Sequence, residues 1–374
     1  MKKAFRIILR VIIILMAAFI GFTYGIAFAG AAMEGSDNVI DLLSFLFETF
    51  LALFLAFNIC VIIHEGGHLV FGLLTGYRFS SFRIWSLMLI KQSDGLKLRR
   101  FKIVGTGGQC LMEPSERSEK KSSAVLYNLG GVIFNLLLAI VCLVLYFSLP
   151  KVFILSKLLL FSAIFSTYMF FSNGIPLNLG GISNDGMNTL HLLKDPIAAE
   201  ALRKQLLMNA AQNRGMLTCD MPDEWFTLSE MDPKNVHCAS IAVVAAGRPL
   251  DRLDTVSAQQ EIEKLFASDY KIIGLHRSIL TCDLISTRLI NLDSPDVSEL
   301  LTPTIENYMK SMRTYPGVLR TKYAIALLVK GDEKAAEKIK KDFDKAAKVH
   351  PYPCNIEVER GLMAKILEKY KNKA

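Results

Sequence analysis

The sequence predicts a polytopic α-helical membrane protein of about four transmembrane helices with a small β insertion, followed by an all-α soluble domain. Three observations predict it. The long apolar runs nearly all lie before residue 175 of a 374-residue chain that is 52 % hydrophobic. Lysines and arginines flank those runs, at Met1 to Arg10 and again from Arg78 to Lys121. From Asp195 onward apolar residues recur at helical spacing between prolines.

The formal charge of +8 raises nucleic acid as a partner. Cations beside apolar spans are topology signals, however, so no nucleic-acid partner is expected. The seven cysteines include no C-x-x-C pair. Cys60 and Cys142 lie in apolar runs. This is not a disulfide framework, and it fits soluble parts in a reducing compartment.

Lys2, Lys3, Arg6 and Arg10 precede an uncharged run from Val11 to Met33. Ala27-Phe28-Ala29 resembles a signal-peptide cleavage site, but the apolar core is long for one. The expectation is a retained helix with its start in the cytoplasm, and residues 1–41 are read as this helix plus an acidic outer loop. The run from Leu42 to Val61 returns inward and continues to Leu74, so it tilts or extends beyond the membrane. Glu48 and Asn58 turn one of its faces toward protein.

In the segment Arg78 to Lys121, the partial alternation of Phe79, Phe82, Ile84, Trp85, Leu87 and Leu89 reads as short strands. Asp94-Gly95 signals a hairpin into Leu96-Lys97-Leu98-Arg99, and Phe101-Lys102-Ile103-Val104 is a further candidate strand. These make a β insertion at 78–113. Its open edge suits an extended substrate added as a strand, and an ordinary interfacial loop is the plainer reading. Gly105-Thr106-Gly107-Gly108 has no Lys-Ser ending and is not a phosphate loop.

Ala124 to Leu149 then spans outward and Val152 to Phe171 inward. Asn128 and Asn135 are seven apart and share a helix face, where they reach neighbouring helices or a substrate backbone. Beyond Phe171 the prolines and glycines of 172–186 break the helix, and such backbone at membrane depth needs protein or a wet cavity around it. Met187 to Leu193 starts a new helix.

Residues 194–374 form the soluble domain, with helices expected at Ala198 to Ala211, Glu261 to Phe266, Leu275 to Asn291, Ile305 to Arg313, Leu319 to Val329, Glu333 to Lys348 and Val358 to Tyr370. The pair around Gly331-Asp332 resembles one tetratricopeptide-like hairpin. It offers a place for a peptide or protein partner, and a helical cap over the membrane part is the plainer reading.

At the inner end of the second run stands Ile62-Ile63-His64-Glu65-Gly66-Gly67-His68. On a helix His64 and His68 share a face and can both reach one zinc ion, with Glu65 beside them as a base. A zinc site needs a third protein ligand, and Asp185 is the carboxylate of the broken stretch. Its rival role is helix N-cap. The basic segments place the loop after Arg78 and the region after Lys194 inside. The motif and Asp185 then both fall at cytoplasmic span ends. The expected location is the plasma membrane, multi-pass, with N- and C-termini cytoplasmic.

These residues resemble the site-2 protease family of intramembrane zinc metalloproteases, as a divergent bacterial-type member. His64-Glu65-Gly66-Gly67-His68 is similar to its zinc motif. Gly131-Val132-Ile133-Phe134-Asn135 resembles its Gly-Pro-x-x-Asn motif, with Val132 in the proline position. Asn173-Gly174-Ile175-Pro176 with Asp185-Gly186 resembles its Asn-x-x-Pro-x-x-x-Leu-Asp-Gly motif, with a longer spacer and Asn184 in the leucine position.

The resemblance spans roughly Leu42 to Leu193 and implies a metalloprotease core at 42–193. It implies zinc-dependent cleavage of membrane-anchored peptides or regulators near the cytoplasmic side. One zinc per chain would be held by His64, His68 and Asp185, with Glu65 catalytic. Asn135 and Asn173 would orient substrate or stabilise the oxyanion. The expected partners are a transmembrane or membrane-anchored peptide and the lipid bilayer. Two rivals stand beside this reading. A scaffold or transporter would carry no zinc, and an inactive homologue would bind peptides without cutting them.

Overall fold

The computed structural model describes residues 39–373, except 104–105, 119, 151–152, 180–181 and 294. The expected first helix at 11–33 lies outside the described residues. Three helices in the described part are long and apolar enough to cross a membrane. They are α1 (Val39–Leu74), α2 (Lys121–Ser148) and α3 (Phe153–Gly174).

At 36 residues α1 is about 54 Å long, well beyond a hydrocarbon core of about 30 Å. Its apolar side chains Phe47, Phe50, Phe54 and Leu73 are exposed, as lipid-facing residues are. Ahead of the histidine motif its buried face is made mainly of small residues. Ala52 and Ala56 pack with Phe161 of α3, and the Cys60 thiol meets Ser166 Oγ at 3.1 Å. Small side chains let membrane helices approach closely. Gly67 takes this furthest, because a Cβ there would be driven into the carbonyl oxygen of Gly130 on α2. Glu48 faces protein as expected, 3.6 Å from Lys157 Nζ.

The chain divides into two compact units. The first comprises the described residues up to His68 together with 128–177 and 184–187. The second comprises 69–127, 178–183 and 188–374.

The second unit contains a four-stranded antiparallel sheet, order β3-β2-β1-β4, from β1 (Arg78–Ile84), β2 (Leu87–Gln92), β3 (Gly95–Arg100) and β4 (Gly108–Glu113). The β2–β3 hairpin turns at Ser93-Asp94, one residue earlier than the Asp-Gly signal suggests. Gly95 follows in the left-handed region and pairs with Gln92. Phe101 to Ile103 are not a strand, and the fourth strand is Gly108–Glu113. Gly108, the last glycine of the cluster there, opens a strand rather than ending one. Arg83, 1 % exposed, reaches across this connection to Trp85 O at 2.7 Å and Gly108 O at 3.3 Å. β5 (Asn178–Leu179) and β6 (Ile182–Ser183) form a small hairpin.

Helices α4 (Asp185–Lys194) and α5 (Pro196–Asn213) follow. Leu202 and Leu206 of α5 pack with Tyr77, Cys110, Met112 and Tyr127, and Asn213 donates to Ser80 Oγ at 2.7 Å. The rest is helical: α6 (Val236–Asp251), α7 (Thr255–Phe266), α8 (Gly274–Asn291), α9 (Pro303–Ser311), α10 (Pro316–Ala324), α11 (Glu333–Val349) and α12 (Pro353–Lys373). Helix α6 has no counterpart in the sequence reading. Pro249 reads as a break, but it lies inside the helix near its C-terminal end, and the helix runs on to Asp251. α12 begins five residues before the expected start, because Pro353 occupies the first-turn position that proline favours. The α10–α11 hairpin forms as read, with Gly331 at φ +61° in its turn. Between them Ile325–Val329 widens into a π turn.

In this domain Arg320, 1 % exposed, sits between Asp283 and Glu359, the latter at 3.2 Å. Two acids face one guanidinium. Burial pushes the Glu359 carboxyl up to about 7, Arg320 opposes the rise and Asp283 adds to it. An acid raised above its ordinary 4.5 favours the fold while protonated, and that contribution is lost as pH climbs toward 7. Glu359→Gln is therefore expected to flatten the fall in melting temperature across that window. An unchanged pH slope would assign the slope to other groups.

Candidate metal centre

His64 and His68 sit one turn apart on α1, with ring centroids 4.9 Å apart and planes at 85°. Both are buried, at 6 % and 8 % exposure, and Glu65 between them is 8 % exposed. Asp185 lies 117 positions beyond His68 in the chain. Its position depends on Asn184, a residue the sequence reading noted only as a departure from the family pattern. Asn184 Oδ1 accepts from the amides of Leu177 at 3.0 Å and Met187 at 2.9 Å. Its Nδ2 donates to Ser172 O at 2.7 Å and Ile175 O at 2.6 Å. The amide thereby uses four hydrogen bonds to tie the end of α3 to the start of α4. By taking the Met187 N–H it also occupies the capping role. Asp185, the rival candidate for that cap, is left free. Gly186 completes the junction, since a Cβ there would strike the Gly174 carbonyl.

Asp185 Oδ2 lies 3.1 Å from His64 Nε2 and 3.5 Å from His68 Nε2, and the two Nε2 atoms are 3.3 Å apart. The carboxylate oxygen is buried and makes no hydrogen bond of acceptable geometry. Ligands about 2.0–2.1 Å from a tetrahedral zinc are about 3.3–3.4 Å from one another. The three edges match one face of that tetrahedron, so these residues fit the ion. They are the metal-ligand cluster found among the described residues. Burial raises the Asp185 carboxyl, but the two imidazoles, His68 foremost, outweigh it and hold the group well below the usual carboxylate range.

Asn135 of α2 is fully buried and turns to His64. Its Oδ1 lies 2.6 Å from His64 Nδ1, and its Nδ2 donates to Cys60 O at 3.2 Å. An oxygen at this position accepts an Nδ1–H, which leaves the Nε2 lone pair for a metal. Gly131, one turn earlier, leaves room for the rings, because a Cβ there would stand 2.6 Å from His68 Nε2 and 2.7 Å from His64 Nδ1. Asn173 is placed differently. Its Nδ2 donates to Met169 O at 3.1 Å, within its own helix. Asn135→Leu is expected to weaken zinc binding by about 10–100-fold. Chelator competition reads this directly, and Asn135→Asp, which keeps an acceptor, should recover part of the loss. An unchanged affinity in the leucine variant would show that His64 needs no such acceptor.

Fold and cluster together define the class: a multi-pass helical membrane protein with a buried His-His-carboxylate centre and an adjoining glutamate. The profile of peptidase family M50 matches residues 52–354, and the chain belongs to that family, the site-2 proteases. Comparison with curated proteins and with solved structures returned no match. Family membership and the cluster together assign a zinc metalloendopeptidase of intramembrane proteolysis.

Proposed function

We propose that this chain holds one zinc ion through His64, His68 and Asp185 and cuts membrane-anchored peptides or regulators near the cytoplasmic face of the plasma membrane. The observation that carries the reading is the triangle of donor atoms, whose edges of 3.1, 3.3 and 3.5 Å suit a tetrahedral ion. When bound, the ion supplies Lewis acidity toward the scissile carbonyl and lowers the pKa of water. Glu65 takes the proton of the attacking water and passes it to the leaving amine. Asn135 orients His64. Asn173, at the end of α3, has a second N–H with which to orient the substrate strand or hold the oxyanion.

A spanning substrate has its amides satisfied internally, so it must unwind locally before attack. Helix-breaking residues near its scissile bond lower that cost. The cationic segments 1–10 and 78–121 support cytoplasmic termini under the positive-inside rule.

The test is cleavage of a membrane-anchored reporter by the full chain in proteoliposomes, with zinc content measured on the same sample. One zinc per chain with chelator-sensitive cutting near the cytoplasmic edge is expected. A zinc-loaded chain that cuts only soluble peptides would overturn the membrane assignment. A folded chain that takes up no supplied zinc would overturn the chemistry.

A further inference from the structure

The second unit contains a cleft of about 830 Å³ that the proposed proteolysis does not use. One wall is the exit of β3, with Arg100, Phe101 and Lys102. The other is helical, from the α9–α10 connection and α11. Its lining includes an apolar floor of the buried Met312 and Leu319, with the apolar Ile339 and the exposed Val349 beside them.

Its charge is one-sided. Arg100, Lys102, Arg313 and Lys338 line it, are exposed, and have no carboxylate at ion-pair distance among the described residues. Lys322 adds a fifth cation, donating to Met309 O at 3.0 Å. The acid in the lining, Asp342, is already 3.7 Å from Lys345. His350 adds no charge, since burial pushes it down to about 4.

The base of the cleft is tied together. The Phe101 ring lies 5.8 Å from both His350 and Tyr352, edge to face, and Gln92 Nε2 donates to Pro351 O at 2.8 Å. The two walls are therefore joined within one unit, and the cations are held around a preformed space.

We infer that this cleft binds an acidic polypeptide segment with interspersed apolar residues. Charge complementarity demands an anion. The apolar floor and the dispersal of the cations over separate elements favour a chain over a compact phosphate. A phosphate site needs close backbone approach or converging donors, and no glycine lines this cleft. A chain of alternating carboxylates and aliphatic side chains satisfies both the floor and the rim. The inference stands independently of the zinc chemistry.

The test uses the full-length detergent-purified chain carrying Glu65→Gln, so that nothing is cut. The probe is a fluorescein-labelled glutamate-rich peptide with isolated leucines, followed by anisotropy. Saturable binding that weakens with salt is expected. The combined variant Arg100→Glu, Lys102→Glu, Arg313→Glu, Lys338→Glu should weaken it by at least about tenfold, with melting temperature unchanged. Should that variant fold poorly, Arg313→Gln with Lys338→Gln should still weaken it several-fold. Replacing the peptide's glutamates by glutamine should abolish binding, and replacing its leucines by serine should weaken it. Equal binding to wild type and to either charge variant would overturn the inference. So would tight binding of tripolyphosphate that displaces the peptide while the serine-substituted peptide binds as well as the original.

Discussion

Glu65→Gln is expected to remove proteolysis and to leave zinc in place. Glutamine has the size and shape of glutamate, so the buried position beside His64 is refilled and the helix register of the two histidines is kept. It cannot accept the proton of the attacking water at neutral pH. Loss of a positioned general base slows a reaction by about 10²–10⁴-fold. Rates on the membrane-anchored reporter should fall by that amount while zinc per chain stays at the wild-type level. Cleavage at the wild-type rate would remove Glu65 from the role of base. Loss of zinc would make it part of the metal site instead.

Asp185→Ala is expected to empty the centre. Two imidazoles from one helix face remain, and the third edge of the donor triangle disappears. Changing an outer partner of a metal ligand already costs about 10–100-fold in affinity, and removing a ligand costs more. The chain should then purify with little zinc, as should the His64→Ala, His68→Ala double variant, while helix content is unchanged. Asp185 is placed by Asn184 and Gly186, not by its own side chain, so the local backbone survives its truncation. Full zinc occupancy in Asp185→Ala would transfer the third ligand to another residue. Asn184→Leu gives the complementary result, because leucine cannot make the four hydrogen bonds that close this junction. Zinc affinity should fall there although every ligand is intact.

Residues close in sequence carried most of what could be read without coordinates. The apolar runs of α1, α2 and α3 are visible as runs because lipid demands them continuously. The His64/His68 face follows from helical spacing alone. The β2–β3 hairpin follows from alternation interrupted by a turn, although the turn pair itself moved by one residue. The α10–α11 hairpin follows from its Gly-Asp junction. Prolines misled where they were read as edges between helices: Pro249 lies inside α6, and Pro353 opens α12 in the first-turn position that proline favours.

By itself the sequence determined the class of this protein: its membrane spans, its helical tail, and a metal motif set by spacing of one helical turn. The sequence also named Asp185 as the third ligand; the tertiary structure decided how the distant groups are brought to that motif and that Asn135 turns to His64. Asn135 meets His64 across 71 residues of chain. Asp185 closes the donor triangle because a hub at Asn184 stitches α3 to α4. The cationic cleft exists only because the β3 exit lies beside α9, α10 and α11. Periodicity records which face of an element is apolar, but it carries no record of which element that face will meet. Packing, glycine-permitted approach and satisfaction of buried polar groups settle that.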